Sequence, residues 1–510
     1  MLYIFKYFWY SPPPAARNID ACLYVTSVMR NPCYILRYII YMCALAAALS
    51  ATGCIEDAVS SSPSDQPSFS TDTVRMGELF TLDASPTHRF VVYNRHDKVM
   101  NISEIAFRGD AAGQFRLNVD GQAGSSFHNM EVRPNDSIFV FVEATLAENS
   151  ADLPVQVLAW IDFRVNGVTS SLPVKATAQD VVRFSGNTRY STDASLAANR
   201  PCFISDSLVV EPGATLTIPA GARLLMHEES EIIVHGTLRI AGTAEKPVSI
   251  AGHRTGFVAA QIPYEVMSGQ WGGIRFTSTS RSSEILHASI RNSTYGLRLE
   301  HAGGDAASPA LVAANSVLRN TKGYVVDATL SSVALLGCEL AEAAMGVVSL
   351  QGGDCTINQC SLSNYYLFSA VGGPLLQVGH YDLENGDSDD GLPAEMPLNL
   401  AVANSIFCGY GGDLNVGDFT GFPVTFTNCL LQSAGSNDDN FINCLWEADP
   451  GFNIDRHAYI FDYRVGPTSP ALEYADPALW GRYATLLGTD INGDARTPSP
   501  TAGAYQRPRE

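Results

Sequence analysis

Six short blocks decide how this chain folds: HASIRN (287–292), NSVLRN (315–320), GCELAE (337–342), QCSLSN (359–364), NSIFCG (404–409) and NCLLQS (428–433). Set in register, each carries one small residue ahead of a short apolar step: Ala288, Ser316, Cys338, Cys360, Ser405 and Cys429. These residues lie 28, 22, 22, 45 and 24 positions apart. A repeat near 22 residues, with one interval about twice as long, is the length of one coil of a β-solenoid. One such coil cannot bury its inward face alone, so coils stack and the stack is the core. Equivalent residues then lie about 4.8 Å apart along the axis. Asn292, Asn320 and Asn364 fit an asparagine ladder, and Cys338, Cys360 and Cys429 read as stacked small fillers rather than metal ligands.

Working outward toward the N-terminus, apolar triplets recur every six to ten residues from Cys202 onward. They are Leu208–Val210, Leu216–Ile218, Leu224–Met226, Ile232–Val234, Leu238–Ile240 and Val248–Ile250, with corners at Pro212-Gly213, Pro219-Ala220-Gly221 and Gly236-Thr237. These are the first coils. The run SLVVEPGATLTIPAGARLLMHEESEIIVHGTLRIAGTAEKPVSIAG, followed by Gly269-Gln270-Trp271-Gly272-Gly273-Ile274, resembles the opening of right-handed parallel β-helix proteins of bacterial envelopes. Trp271 has two readings, a sugar-stacking platform or a packing residue.

Between 71 and 180 the pattern differs. Arg89–Asn94, Ile102–Phe107, Phe115–Val119, Ser137–Glu143, Val155–Val165 and Val168–Thr177 read as short strands of period two, broken by turns such as Asn166-Gly167. Strands at this spacing predict a β-sandwich. The order VVYNRHDKVMNISEIAF, QFRLNV, VRPNDSIFVFVEA, LPVKATAQD resembles the immunoglobulin-like domains near the anchors of bacterial surface proteins, which implies a spacer.

The leader is apolar from Tyr38 to Leu49, preceded by Arg30 and Arg37, and ends Leu49-Ser50-Ala51-Thr52-Gly53-Cys54. It resembles a bacterial lipoprotein signal, with Ala51 standing where such signals usually carry Leu, and implies lipid on Cys54. The start codon is open, since Met29 opens a more compact leader. Glu56 and Asp57 follow, then a Ser/Pro/Asp-rich tether. Acidic residues there resemble the export signal of Bacteroidota-type surface lipoproteins, and imply the outer membrane with the chain facing the exterior. The expected division is signal peptide 1–53, tether 54–70, immunoglobulin-like sandwich 71–180, right-handed parallel β-helix 181–465 and C-terminal cap 466–510. The fold class is all-β throughout.

A net charge of −20 excludes nucleic acid, because no basic stretch is present to neutralise phosphates. Seven cysteines lie beyond Cys54 with no CxxC pair, which points to buried free thiols rather than a zinc site or a full disulfide framework.

The long interval after Cys360 holds an excursion, Leu375–Pro397, crowded with Asp382, Glu384, Asp387, Asp389 and Asp390. Asp387, Asp389 and Asp390 could ligate calcium, or the loop is merely solvated; the spacing matches no full calcium loop. Tyr365, Tyr366 and Phe368 precede it, where aromatics can stack on a sugar ring or join the core. The tail, SPA (469–471), then DINGDAR (490–496), then GAY (503–505), resembles the C-terminal end of bacterial surface β-helices and implies a cap over the last coil. Asp490, Asn492 and Asp494 have the spacing of a calcium loop without its downstream Glu, so capping is the reading taken.

No catalytic constellation is visible. Glu231, Glu284, Glu300 and Glu339 fall at different coil positions, and GxSxG, HExxH, P-loop and GxGxxG sequences are absent. The expected function is therefore noncatalytic binding of a glycan, host surface or envelope component. A polysaccharide lyase or glycoside hydrolase is the alternative, and a purely structural envelope protein is the third class.

Overall fold

The computed structural model describes residues 42, 58–254, 256–258, 262–379, 381–382, 395–415 and 423–507. Two compact units emerge. One holds Thr87–Val142 and Ala159–Pro173, and the other holds Arg75–Pro86, Glu143–Leu158 and the chain from Val174 onward.

The N-terminal strands form two five-stranded sheets. In one, His88–Tyr93 pairs antiparallel with Ser137–Ala144. In the other, Met100–Arg108 pairs antiparallel with both Ser126–Val132 and Val155–Val165. Asn166 and Gly167 both take positive φ, 50° and 79°, the backbone that a two-residue hairpin turn demands. Phe69 meets Phe163 at 4.9 Å between ring centroids, and Phe90 meets the same ring at 6.3 Å.

From Val182 onward the chain winds through three parallel sheets of ten, nine and ten strands among the described residues. The first coil enters the first sheet at Val182–Phe184, the second at Thr188–Tyr190 and the third at Ala194–Ser195. Cys202–Ile204 then returns to the first sheet beside Val182–Phe184. Each later coil repeats the circuit, so strand order in every sheet follows chain order by one coil. This is a parallel β-helix, built by winding rather than by distant pairing.

The six quoted blocks are successive strands of the first sheet. Ser289, Ile290 and Arg291 pair with Val317, Leu318 and Arg319. Those pair with Glu339, Leu340 and Ala341, and these with Ser361, Leu362 and Ser363. Ile406 and Phe407 continue the register onto Leu430 and Leu431. The residue before each small filler takes positive φ, as at His287, Asn315, Gly337, Gln359, Asn404 and Asn428. Only a left-handed residue turns the chain so sharply between sheets, and Asn and Gly adopt it most readily.

The fillers form a ladder as expected. Cys338, Cys360 and Cys429 are wholly buried and unpaired. Cys338 N–H donates to Cys360 Sγ at 3.4 Å, and Cys360 N–H to Ser405 Oγ at 3.1 Å. Cys360 Sγ and Ser405 Oγ, like Ser316 Oγ with Ala288 N–H, thus accept from the preceding coil, and Cys360 Sγ also donates to Asn358 O at 3.4 Å. The second ladder is altered. Register places Asn292, Asn320, Glu342 and Asn364 in one column, with a glutamate where a fourth asparagine would fit.

The long interval is a single coil. Leu376–Gly379 belongs to the second sheet and Leu398–Ala403 to the third. Tyr381–Asp382 and Glu395–Met396 form an antiparallel neck between them. The excursion therefore begins after Gly379, five residues inside the range expected. A second excursion, between Gly252 and Ile274, carries a small hairpin and the 3-10 turn Tyr264–Val266.

The tail does not simply close the last coil. Its backbone carbonyls at Tyr474, Asp476, Leu479 and Leu486 accept from the side-chain amides of Asn428, Asn404, Asn358 and Asn315 in turn. The tail thus runs back along one corner, coil after coil. Asp490 is fully buried and accepts from Asn492 N–H, Asp494 N–H and Gln506 N–H at 2.8–2.9 Å. Arg496 donates to Thr501 O, Gly503 O and Ala504 O. The DINGDAR and GAY residues are an internal staple rather than a calcium loop.

Candidate functional site

The outward positions of the quoted blocks carry the site. Glu339 and Glu342 lie on Glu339–Ala343, next to Arg319 on Val317–Thr321. A strand places alternate side chains on one face, so Leu340 points into the core while Glu339 faces out, and the left-handed φ of 59° at Glu342 breaks that alternation near the strand's end. Outward residues here would normally meet water, yet Glu339 and Glu342 are each only 3% exposed. Two pieces of chain cover them. One is the turn Tyr264–Val266, and the other is the hairpin Asn453–Asp455/Ile460–Asp462 with Tyr463 and the tail residue Tyr505.

Each carboxylate receives a phenol. Tyr505 Oη donates to Glu339 Oε2 at 2.6 Å, and Tyr463 Oη donates to Glu342 Oε1. Tyr365 N–H donates to the same Oε1 at 2.9 Å. Arg319 Nη1 lies 3.4 Å from Glu339 Oε1. Burial pushes the Glu339 carboxyl up, against the pull of Arg319, and pushes that of Glu342 up to about 7. Tyr463 and Tyr505 are raised in turn by burial and by the facing carboxylates.

Beside this cluster opens a cavity of about 230 Å³, lined by Pro263, Glu265, Val266, Arg319, Asn320, Glu342, Ala458, Tyr459 and Phe461. Pockets for drug-sized ligands run to roughly 300–1,000 Å³, so this one has room for about a single sugar ring. Its walls are apolar and aromatic, and its floor is polar. Glu265 pairs with Arg291, and Asn320 Nδ2 donates to Glu265 O at 3.0 Å, which fixes the turn over the sheet.

Aromatic groups flank the hairpin. Arg456, in its turn, lies over the Tyr410 ring at 5.4 Å and donates to Tyr366 O at 3.1 Å. Tyr365 meets Tyr410 edge-on at 5.2 Å, and Tyr366 meets Phe368 at 5.7 Å. Tyr366 is 5% exposed, with its hydroxyl 2.6 Å from Ser268 Oγ, whereas Tyr410 and Phe368 are exposed. Tyr365 is half-buried, its hydroxyl against Cys408 Sγ at 3.4 Å. The exposed rings of this group are therefore those of Tyr410 and Phe368, not of Tyr366.

Trp271 offers no stacking face. It is fully buried, and its indole N–H donates to Arg291 O at 2.8 Å, so it is a packing residue beneath the first sheet's corner. Asp387, Asp389, Asp390 and Cys54 lie outside the described residues. Among the described residues no three His, Cys, Asp or Glu side chains converge as metal ligands.

Reading the sequence missed Glu342, Arg319, Glu265 and Tyr463. The first two were visible in the blocks, where Arg291, Arg319, Glu339 and Glu342 concentrate charge in three adjoining strands. Glu265 and Tyr463 come from distant segments and carry no local signal.

No family model matches this chain, and no curated protein is similar to it. Among solved structures, part of the chain is similar to part of a family 123 glycoside hydrolase from Clostridium perfringens, described in a study of glycolipid glycan hydrolysis. The identity is 7% and the TM-score 0.16, over 22% of this chain and 25% of that one. A likeness this slight bears on neither fold nor function.

Proposed function

We propose that this chain is a lipid-anchored envelope protein that binds a glycan without cleaving it. The carrying observation is the sugar-sized cavity, in which Tyr459 and Phe461 face Arg319, Asn320, Glu265 and Glu342. Apolar walls suit the C–H faces of a sugar ring, and the polar floor suits its oxygens. In this reading Cys54 carries the lipid, and the two N-terminal sheets, which Ser68–Phe69 already joins as a strand, are an immunoglobulin-like sandwich serving as spacer. The coils wind right-handed, the sense that parallel crossovers take, and the protein faces the exterior of the outer membrane. Calcium at Asp387, Asp389 and Asp390 stays a separate proposal, tested by chelation.

The test is a glycan array with the full-length protein, read alongside product release from the same polysaccharides with and without calcium. Binding without product supports the reading. Unsaturated or reducing-end product establishes instead a lyase or hydrolase. That second reading is favoured by one feature, the two carboxylates of Glu265 and Glu342 lining one cavity, with Glu342 pushed up to about 7 by burial. For the anchor, Cys54→Ala should abolish metabolic lipid labelling, and retained labelling would overturn it.

A further inference from the structure

Glu342 lines the cavity with one oxygen already engaged. Its Oε1 accepts from both the Tyr463 hydroxyl and the Tyr365 N–H. Tyr365 N–H can only donate, and the Tyr463 hydroxyl finds no other acceptor among the described residues, so a protonated Glu342 keeps both bonds by carrying its hydrogen on Oε2. Nothing else among the described residues is hydrogen-bonded to that oxygen, which leaves it to the cavity.

We propose that Glu342 serves the pocket as an uncharged donor, presenting Oε2–H to an acceptor-only oxygen of the bound sugar, an ether or carbonyl oxygen, so that one proton gates occupancy. The inference rests on the glycan reading above. A hydroxyl could turn to donate to an ionised Glu342, but an ether or carbonyl oxygen has no hydrogen to give. Loss of the proton then sets two acceptors face to face.

The surroundings favour the neutral form. Burial raises the carboxyl to about 7, so the proton is held through mildly acidic and neutral conditions. The groups facing Glu342 are Glu339 on its own strand, Arg319 on the adjoining strand, Glu265 from the turn above, and Tyr459 and Tyr463 from the C-terminal hairpin. Arg319 is shared with Glu339, and Glu265 is held by Arg291. Glu342 is thus without a cation of its own.

The test uses the full chain and methyl glycosides of glucose, galactose and N-acetylglucosamine, followed by saturation-transfer NMR and titration from pH 5.5 to 9. Wild-type affinity should be level to about pH 7 and then fall about tenfold per pH unit. Glu342→Gln keeps an acceptor for Tyr463 and Tyr365 and a donor for the cavity. It should bind throughout with no such slope. Wild-type binding that is flat across the range, or a slope that persists in Glu342→Gln, overturns the inference and leaves the glycan reading standing. Failure of all three glycosides at every pH overturns both.

Discussion

Tyr505 donates its hydroxyl to Glu339 Oε2 at 2.6 Å, tying the end of the tail to a carboxylate buried on a strand 166 residues earlier. The bond explains the GAY sequence. Gly503 takes φ 90°, and a Cβ there would come within 2.7 Å of Ile406 Cδ1, so only glycine lets the segment lie on the sheet. Gly503 N–H then donates to Asn404 O, and Ala504 N–H to Ser361 Oγ. Tyr505→Phe should leave Glu339 short of a partner and cost about 1–3 kcal/mol locally. Hydrogen exchange is the check: the Gly503 and Ala504 amides should lose roughly 10–100-fold protection while the coils keep theirs.

Asp490 and Arg496 staple the tail internally, one accepting three backbone N–H groups and the other donating to three carbonyls. Asp490→Ala orphans all three donors. Limited proteolysis should then cut within 488–507 far faster than in the wild type, leaving a fragment that retains its β-sheet circular dichroism. Wholesale digestion of the coils would show that the staple supports more than the tail.

Stability near Glu342 should run against the usual acid behaviour. Its folded value, about 7, exceeds the ordinary 4.5, so the native state binds the proton more tightly. The stabilisation is complete below about pH 4.5, declines as pH rises toward 7, and is absent above it. The swing is on the order of 3 kcal/mol. The melting temperature of wild type minus that of Glu342→Gln should therefore decrease from pH 4.5 to 7 and level off beyond.

The filler ladder admits small groups alone. Cys360→Ser should be tolerated, because Ser316 and Ser405 fill equivalent places. Cys360→Val adds bulk where exposure is already 0% and should cost about 1–3 kcal/mol in denaturant unfolding. The seven described cysteines are all buried, and burial raises the Cys355 thiol to about 12. They should react with a thiol reagent only as the protein unfolds.

The coil register was legible because stacking repeats a physical demand. Every coil needs a left-handed corner, a small filler and an apolar step, and the blocks print these in order. Six of the strands between 71 and 180 were legible for a related reason, since period-two patterning and Asn166-Gly167 mark them locally, whereas Val74–Phe80 and Ser126–Val132 were not read. The pocket was not, because its roof comes from Tyr264–Val266 and from the hairpin near 460, far from its floor. Trp271 shows the converse: a tryptophan beside glycines has the composition of a binding platform, and only the fold reveals that coils close over it. The apolar outward residues Ile406, Cys408 and Leu430 were a readable sign of the tail, which covers them with Val465, Ala471 and Leu472.

The most direct measurement is titration of an array-positive oligosaccharide into the wild-type protein and Val266→Trp, a substitution on the cavity wall that fills it. The pocket assignment predicts loss of binding by at least about tenfold, roughly 1.4 kcal/mol, with the melting temperature unchanged. Equal affinity in the two proteins would place the glycan elsewhere on the molecule and contradict the assignment.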